Sequence, residues 1–138
     1  MLDEVDSKII DILRRDSRTS FIDLGKSVGL SEGAVRNRVK NLMREGIIKR
    51  FTIETQIGGG VKAIVLVSSD PAIPTPTIAA RVRSISGVEA VYEVTGQYDL
   101  TAVLVGDDIT SLNKTIEGIR KIDGIQNTNS LIVLKNWY

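Results

Sequence analysis

The side chains with the clearest chemical purpose lie between residues 31 and 44. Laid on a helix at about 100° per residue, Gly33, Asn37, Lys40, Asn41 and Arg44 fall on one side, with Arg36 and Arg38 on its flanks and Ser31 at its start. An asparagine can bond an adenine edge, an arginine a guanine edge or a phosphate, and a lysine a phosphate oxygen. Asn37 is thus the candidate base contact, Arg36 a candidate for guanine or phosphate, and Arg38, Lys40 and Arg44 candidates for backbone charge on double-stranded DNA. The same face would also suit a merely solvated helix, or a module turned to protein contacts in a co-regulator or small-molecule-binding module without specific DNA binding.

Charge placement favours the first reading. The chain of 138 residues has a net charge of only +1, yet residues 36–50 carry six basic side chains (Arg36, Arg38, Lys40, Arg44, Lys49, Arg50) against one acidic. A local basic patch is the footprint to look for in a protein that binds a polyanion.

Other chemistries fall away. With no cysteine and no histidine there are no disulfides, no thiolate nucleophile, no Cys or His metal ligand and no imidazole base. Asp107-Asp108 and Glu89 with Glu93 could be called carboxylate pairs, but neither has a nucleophile or phosphate loop beside it, and Asp107-Asp108 reads more simply as a helix cap. Gly58-Gly59-Gly60 lacks the Lys-Ser/Thr of a phosphate loop. No enzyme, cofactor, catalytic residue or metal site is expected. The acidic start, Leu2 to Asp6, does not resemble a signal peptide, and no apolar run is long enough to span a membrane, so the cytoplasm is the expected location.

The candidate residues need elements to hold them. Asp3 can cap a helix reaching Arg15 with Val5, Ile9, Ile12 and Leu13 on one face. Ser20 and Asp23 suggest a capping box for a second helix that stops at Gly29, and Ser31 caps a third that runs to Gly46. On that third helix Val35, Val39, Leu42 and Met43 form the stripe expected to face the other two. Helix, tight glycine turn, helix is the arrangement that places its second helix in the major groove.

Beyond residue 60 the pattern changes. Val61–Ser69 reads as a strand, Thr77–Ile85 as a helix after Pro71, Pro74 and Pro76, and Val88–Val94 and Tyr98–Val105 as a hairpin turning at Gly96-Gln97. A helix from Asp108 or Thr110 to Lys121 and a strand from Ile125 to Lys135 complete it. Ile85-Ser86-Gly87-Val88 returns as Ile122-Asp123-Gly124-Ile125, 37 residues later, so the half repeats itself. The order βαββαβ is ferredoxin-like, a four-stranded antiparallel sheet with both helices on one face. Ile64, Leu66, Val91, Leu100, Val103, Leu131 and Val133 are too many apolar strand residues for a single helix-covered face, so a second subunit is expected on the other.

The fold class is therefore α+β: a trihelical, winged-helix-like helix-turn-helix domain over residues 1–46, a connecting strand and hinge over 47–60, and a ferredoxin-like domain over 61–138. The connector rests on the alternation of Ile47–Thr55 and on the three glycines at 58–60.

These residues resemble a family. Leu2 to Asp6, Ile9 to Leu13, Val28-Gly29-Leu30-Ser31, Val35 to Leu42, Glu45-Gly46-Ile47-Ile48 and Thr95-Gly96-Gln97-Tyr98-Asp99, in that order and spacing, are similar to the Lrp/AsnC (feast/famine) transcription regulators. The resemblance implies a DNA-binding domain joined to an effector-binding domain, homodimers that assemble further into octamers as tetramers of dimers, pseudo-palindromic promoter sites, and a free amino acid as effector. It also implies that the turn at Gly96, Gln97, Tyr98 and Asp99 borders the effector pocket, where Asp99 could pair with an α-ammonium group. By spacing alone the same turn is an ordinary hairpin turn. Thr101, Thr128 and Ser130 are added to the candidate pocket from strand alternation, and the polar run Asn127 to Ser130 leans toward a polar effector such as glutamine.

Overall fold

A computed structural model describes residues 2–53 and 60–137. The chain divides into two compact units, Met1–Thr55 and Gln56–Tyr138.

The first unit is built from α1 (Glu4–Arg15), α2 (Phe21–Val28) and α3 (Glu32–Arg44). Short polar side chains set all three starts by accepting orphan backbone N–H groups: Asp3 accepts from the Asp6 amide, Ser20 from Asp23 and Ser31 from Ala34. The full capping box lies at α1, where Asp6 also accepts from the Asp3 amide. At α2 the Asp23 carboxylate instead accepts from the Ser20 hydroxyl at 2.7 Å, so it does not return to the cap amide. Gly29 (φ +73°) ends α2 and Gly46 (φ +72°) turns the chain after α3, both in the left-handed conformation. Ile9, Leu13, Leu24, Val35 and Val39 form the buried core of this unit.

Two expectations for this unit need correction. Met43 is 45% exposed while Leu42 is buried, because at about 100° per residue Met43 lies roughly 80° round the helix from Val35. The connecting strand is absent over 47–53, and its last residues, Glu54 and Thr55, lie outside the described residues together with Gly58 and Gly59 of the hinge. The cause is local. The Ile47 and Ile48 amides both donate to the Leu42 carbonyl, at 2.9 and 3.1 Å, so they close the end of α3 and have no donor left for a ladder.

The second unit contains β1 (Val61–Ser69), α4 (Thr75–Arg83), β2 (Val88–Glu93), β3 (Leu100–Gly106), α5 (Ile109–Arg120) and β4 (Ile125–Ile132). Its sheet is antiparallel with strand order β2-β3-β1-β4, the ferredoxin-like arrangement. Ala63, Val65, Val67, Leu100, Ala102 and Leu104 point to one face and are buried against Ile78, Val82, Leu112, Ile116 and Ile119. Strand pairing puts Ile64, Leu66, Val103 and Leu131 on the other face with Thr101, Tyr92 and Asn129. Leu131 and Tyr92 there are 48% and 56% exposed. Leu100 and Val91, by contrast, belong to the helix side.

The internal repeat is real in three dimensions. Gly87 and Gly124 have φ of +89° and +94°, and the amides of Val88 and Ile125 donate to Ile85 and Ile122 at 3.1 and 3.2 Å. Each turn thus ends a helix and starts a strand in the same way.

Boundaries moved where partners dictated. Helix α4 starts at Thr75 because Pro76 sits in the first turn, where no N–H is needed. Strand β4 stops at Ile132, one residue before the Val133 amide makes a last bond to the Lys62 carbonyl at 2.9 Å. Strand β3 begins at Leu100, and the residue before it closes the loop: the Asp99 amide donates to Val67 of β1 at 2.9 Å and the Asp99 carbonyl accepts from Val94 at 2.9 Å. The β2–β3 connection is therefore wider than a two-residue turn at Gly96-Gln97.

Candidate nucleic-acid interface and ligand turn

Helix α3 buries Val35, Val39 and Leu42 and exposes Gly33, Arg36, Asn37, Lys40, Asn41 and Arg44 along its other side. Ser31, also exposed, stands at its first turn as the N-cap, its Oγ 3.3 Å from the Ala34 amide. There is open space where a Cβ at Gly33 would go, so a partner's surface can come close to the backbone there. The tight approach of α2 to α3 depends on a residue that sequence reasoning passed over: Gly25 is buried, its carbonyl accepts from the Leu30 amide at 2.9 Å, and a Cβ on it would collide with the Leu30 carbonyl oxygen.

The arginines are not equivalent. Arg36 is paired with Glu32 one turn earlier at 2.5 Å, and its guanidinium lies 5.0 Å from the centre of the Phe21 ring. Its side chain is 60% exposed, so the guanidinium is oriented yet reachable. Arg38 is turned the other way: its Nη1 donates to Asp3 Oδ2 at 2.6 Å and to Asp6 Oδ1 at 2.8 Å. The bond from the Asp6 amide, joined by the Arg38 guanidinium, holds the Asp3 carboxyl below the usual carboxylate range, and the two carboxylates raise the Arg38 pKa. Lys40 and Arg44 are exposed, as are Lys49 and Arg50 beyond the helix.

In the second unit Gly96 and Gln97 are exposed in the β2–β3 loop, and Gly96 takes φ +114° with open space beside it. Tyr98 and Asp99 are half-buried. Asp99 is anchored: its Oδ2 accepts from the Ser69 amide at 2.7 Å and from the Ser69 hydroxyl at 3.0 Å. This places the turn at the end of the sheet where Val67 pairs with Thr128, and the Asn129 amide reaches the Tyr98 hydroxyl at 3.5 Å. Thr128 and Ser130 pair with Val67 and Val65 and so lie on the helix side of β4, whereas Thr101 pairs with Leu66 on the opposite face. The turn thus meets β4 through Asn129, which shares its face with Thr101, whereas Thr128 and Ser130 lie on the opposite face. Thr128 accepts from Arg120 Nε at 3.1 Å, beside a recess of about 310 Å³ lined by Arg120 and residues 125–128. The buried Ser130 hydroxyl has no hydrogen-bond partner among the described residues.

Asp108 is the N-cap of α5, its carboxyl held below the usual range by the Ser111 amide and hydroxyl, as a capping role requires. Among the described residues, no group of His, Cys, Asp and Glu side chains is arranged to hold a metal ion, and no helix is long and apolar enough to cross a membrane.

Comparison with known proteins decides the family. Residues 2–43 match the AsnC-type helix-turn-helix domain and residues 62–138 match the Lrp/AsnC ligand binding domain. The chain belongs to the Lrp/AsnC family. It is 47% identical, over 99% of its length and 96% of the relative's, to the HTH-type transcriptional regulator LysM of Saccharolobus solfataricus. The structure of Escherichia coli AsnC superposes with a TM-score of 0.77 at 30% identity, covering 99% of this chain and 94% of that one. A transcriptional regulator of Neisseria meningitidis, solved in complex with L-Met, superposes with a TM-score of 0.79 at 26% identity, covering 98% and 91%. As an Lrp/AsnC protein the chain is a DNA-binding transcription regulator with an effector-binding domain, and it is not an enzyme.

Proposed function

We propose that this Lrp/AsnC regulator binds pseudo-palindromic promoter DNA as a homodimer, assembles further into octamers, and adjusts that binding to a free amino acid in the cytoplasm. Residues 1–46 read DNA through Ser31, Gly33, Arg36, Asn37, Lys40, Asn41 and Arg44, residues 47–60 connect, and residues 61–138 bind effector and associate. Asn37 and Arg36 are assigned to base edges, and Lys40 and Arg44 to phosphates. The apolar sheet face with Ile64, Leu66, Val103 and Leu131 is the assigned dimer contact.

The effector reading is carried by one observation. Asp99 spends only Oδ2 on Ser69, and its Oδ1 takes no hydrogen bond among the described residues. A carboxylate fixed by one oxygen presents the other in a defined direction, which suits a ligand ammonium group. The exposed Gly96 and Gln97 are assigned to an α-carboxylate, and Thr128 and Ser130 to a polar side chain such as that of glutamine. Thr101 lies on one sheet face and Thr128 and Ser130 on the other, so all three are assigned to one pocket only in an assembly where a second subunit completes it.

A thermal-shift screen against the twenty amino acids tests this, since a ligand bound only by the folded state raises the apparent melting temperature. A rise with one or two polar amino acids, retained in Ser69→Ala and lost in Asp99→Asn, is the expected result. A ligand that still binds Asp99→Asn with unaltered affinity by calorimetry would move the pocket elsewhere.

A further inference from the structure

We infer that Arg38 is a positioning residue, which locks the DNA-reading helix α3 against the start of α1 through Asp3 and Asp6 and contributes no contact to DNA phosphate. The inference rests on α3 being the helix that reads DNA, and it divides the basic residues of that helix into two kinds.

The geometry is unlike that of an ordinary surface pair. A single nitrogen of Arg38 bridges two carboxylates, at 2.6 and 2.8 Å, with sequence separations of 35 and 32 residues. Its side chain is 33% exposed and that of Asp6 only 15%, against 60% for Arg36. The carboxylates are themselves ordered, because Asp3 Oδ1 also accepts the Asp6 amide at 2.7 Å at the N-terminus of α1. Guanidinium, two carboxylates and helix cap therefore form one connected network.

Electrostatics points the same way. The trio of Arg38, Asp3 and Asp6 carries a net charge of −1, so as a unit it repels a polyanion. Nη1 spends both of its N–H groups on the carboxylates, and what remains of the guanidinium sits beside two negative charges that a phosphate would have to approach. An acidic pair next to a DNA-reading helix costs binding energy, a cost offset if the pair fixes the direction in which Asn37 and Lys40 project. Base contacts tolerate little misplacement, and a good bidentate pair contributes about 1–3 kcal/mol of discrimination.

The alternatives predict opposite signs. If Arg38 were a phosphate ligand restrained by its partners, Asp6→Asn would free it and remove a negative charge, and DNA binding would tighten. If Arg38 positions α3, the same substitution loosens the lock and weakens specific binding. The experiment uses the full chain, a duplex selected by the unaltered protein from a random pool, and a scrambled duplex of equal length, each titrated over a range of salt concentrations. Relative to the scrambled duplex, which takes up the change in net charge, Asp6→Asn and Arg38→Ala are both expected to lose affinity for the selected duplex of the order of tenfold, equivalent to about one base contact. The salt slope should stay unchanged in both, and Arg38→Lys, which keeps a charged donor, should recover part of the loss. Melting curves place every measurement below unfolding. Tighter binding by Asp6→Asn, or a slope reduced by about one unit in Arg38→Ala, would overturn the inference. Failure of the unaltered protein to select any sequence would instead defeat the reading of α3 on which it rests.

Discussion

Asp99 accepts two hydrogen bonds from Ser69, thirty residues earlier, and so ties the β2–β3 loop to the end of β1. The residue has a structural role as well as its proposed ligand role, and the two separate by mutation. Asp99→Ala strands the Ser69 amide and is expected to cost about 1–3 kcal/mol of stability, the usual loss when a charged acceptor leaves a half-buried donor unpaired. Ser69→Ala removes only the hydroxyl bond and should cost less while keeping effector affinity. Thermal unfolding alongside calorimetry with the effector checks both, and equal loss of affinity in the two variants would make Asp99 only an anchor.

Gly25 stands where α2 and α3 meet. Because a Cβ there would collide with the Leu30 carbonyl, Gly25→Ala should destabilise the first unit by about 1–3 kcal/mol, the range typical of overpacking. A lower melting transition with unchanged effector binding is the expected outcome. A variant as stable as the parent would mean that the turn relaxes at little cost.

The exposed cations of α3 make a contrast with Arg38. Lys40→Ala should weaken binding to every sequence and lower the salt slope by about one unit, whereas Asn37→Ala should leave the slope alone and relax the choice of base. Titrations against selected and scrambled duplexes distinguish them, and an unchanged slope for Lys40→Ala would remove it from the phosphate contacts.

Acid should act through the caps. The Asp3 carboxyl lies below its ordinary value of 3.8 in the folded chain, first because it accepts the Asp6 amide and then because of Arg38. A depressed carboxylate contributes stability above the unfolded value and loses it as pH falls through the folded one. The stability gap between the parent and Asp3→Asn is therefore expected to be full above about pH 5 and to close as the solution is acidified past the folded value. Denaturant melts at several pH values measure it, and a gap that stays constant through acidification would mean that the carboxylate form does not matter.

Much of this architecture can be read from short-range signals. Asp3, Ser20, Ser31, Gly29 and Gly46 mark helix ends because each satisfies a local geometric need, and the Gly87 and Gly124 turns repeat because each half ends a helix on a strand. Pairings across long separations leave no such mark. On a helical projection Arg36 and Arg38 are equivalent flanking cations, and only the folded positions of Phe21, Asp3 and Asp6 make them different. The Asp99–Ser69 bond is similarly invisible, since Ser68-Ser69-Asp70-Pro71 reads only as the end of a strand. Alternation placed Thr101 with Thr128 and Ser130, but it cannot tell which face two separate strands share until their register is fixed.

The chain leaves α3 through Gly46 with the next two amides fastened to the Leu42 carbonyl. Those two residues thus extend the helix, like a short crank keyed to its shaft. When α3 turns about its axis, the first two residues beyond Gly46 turn with it.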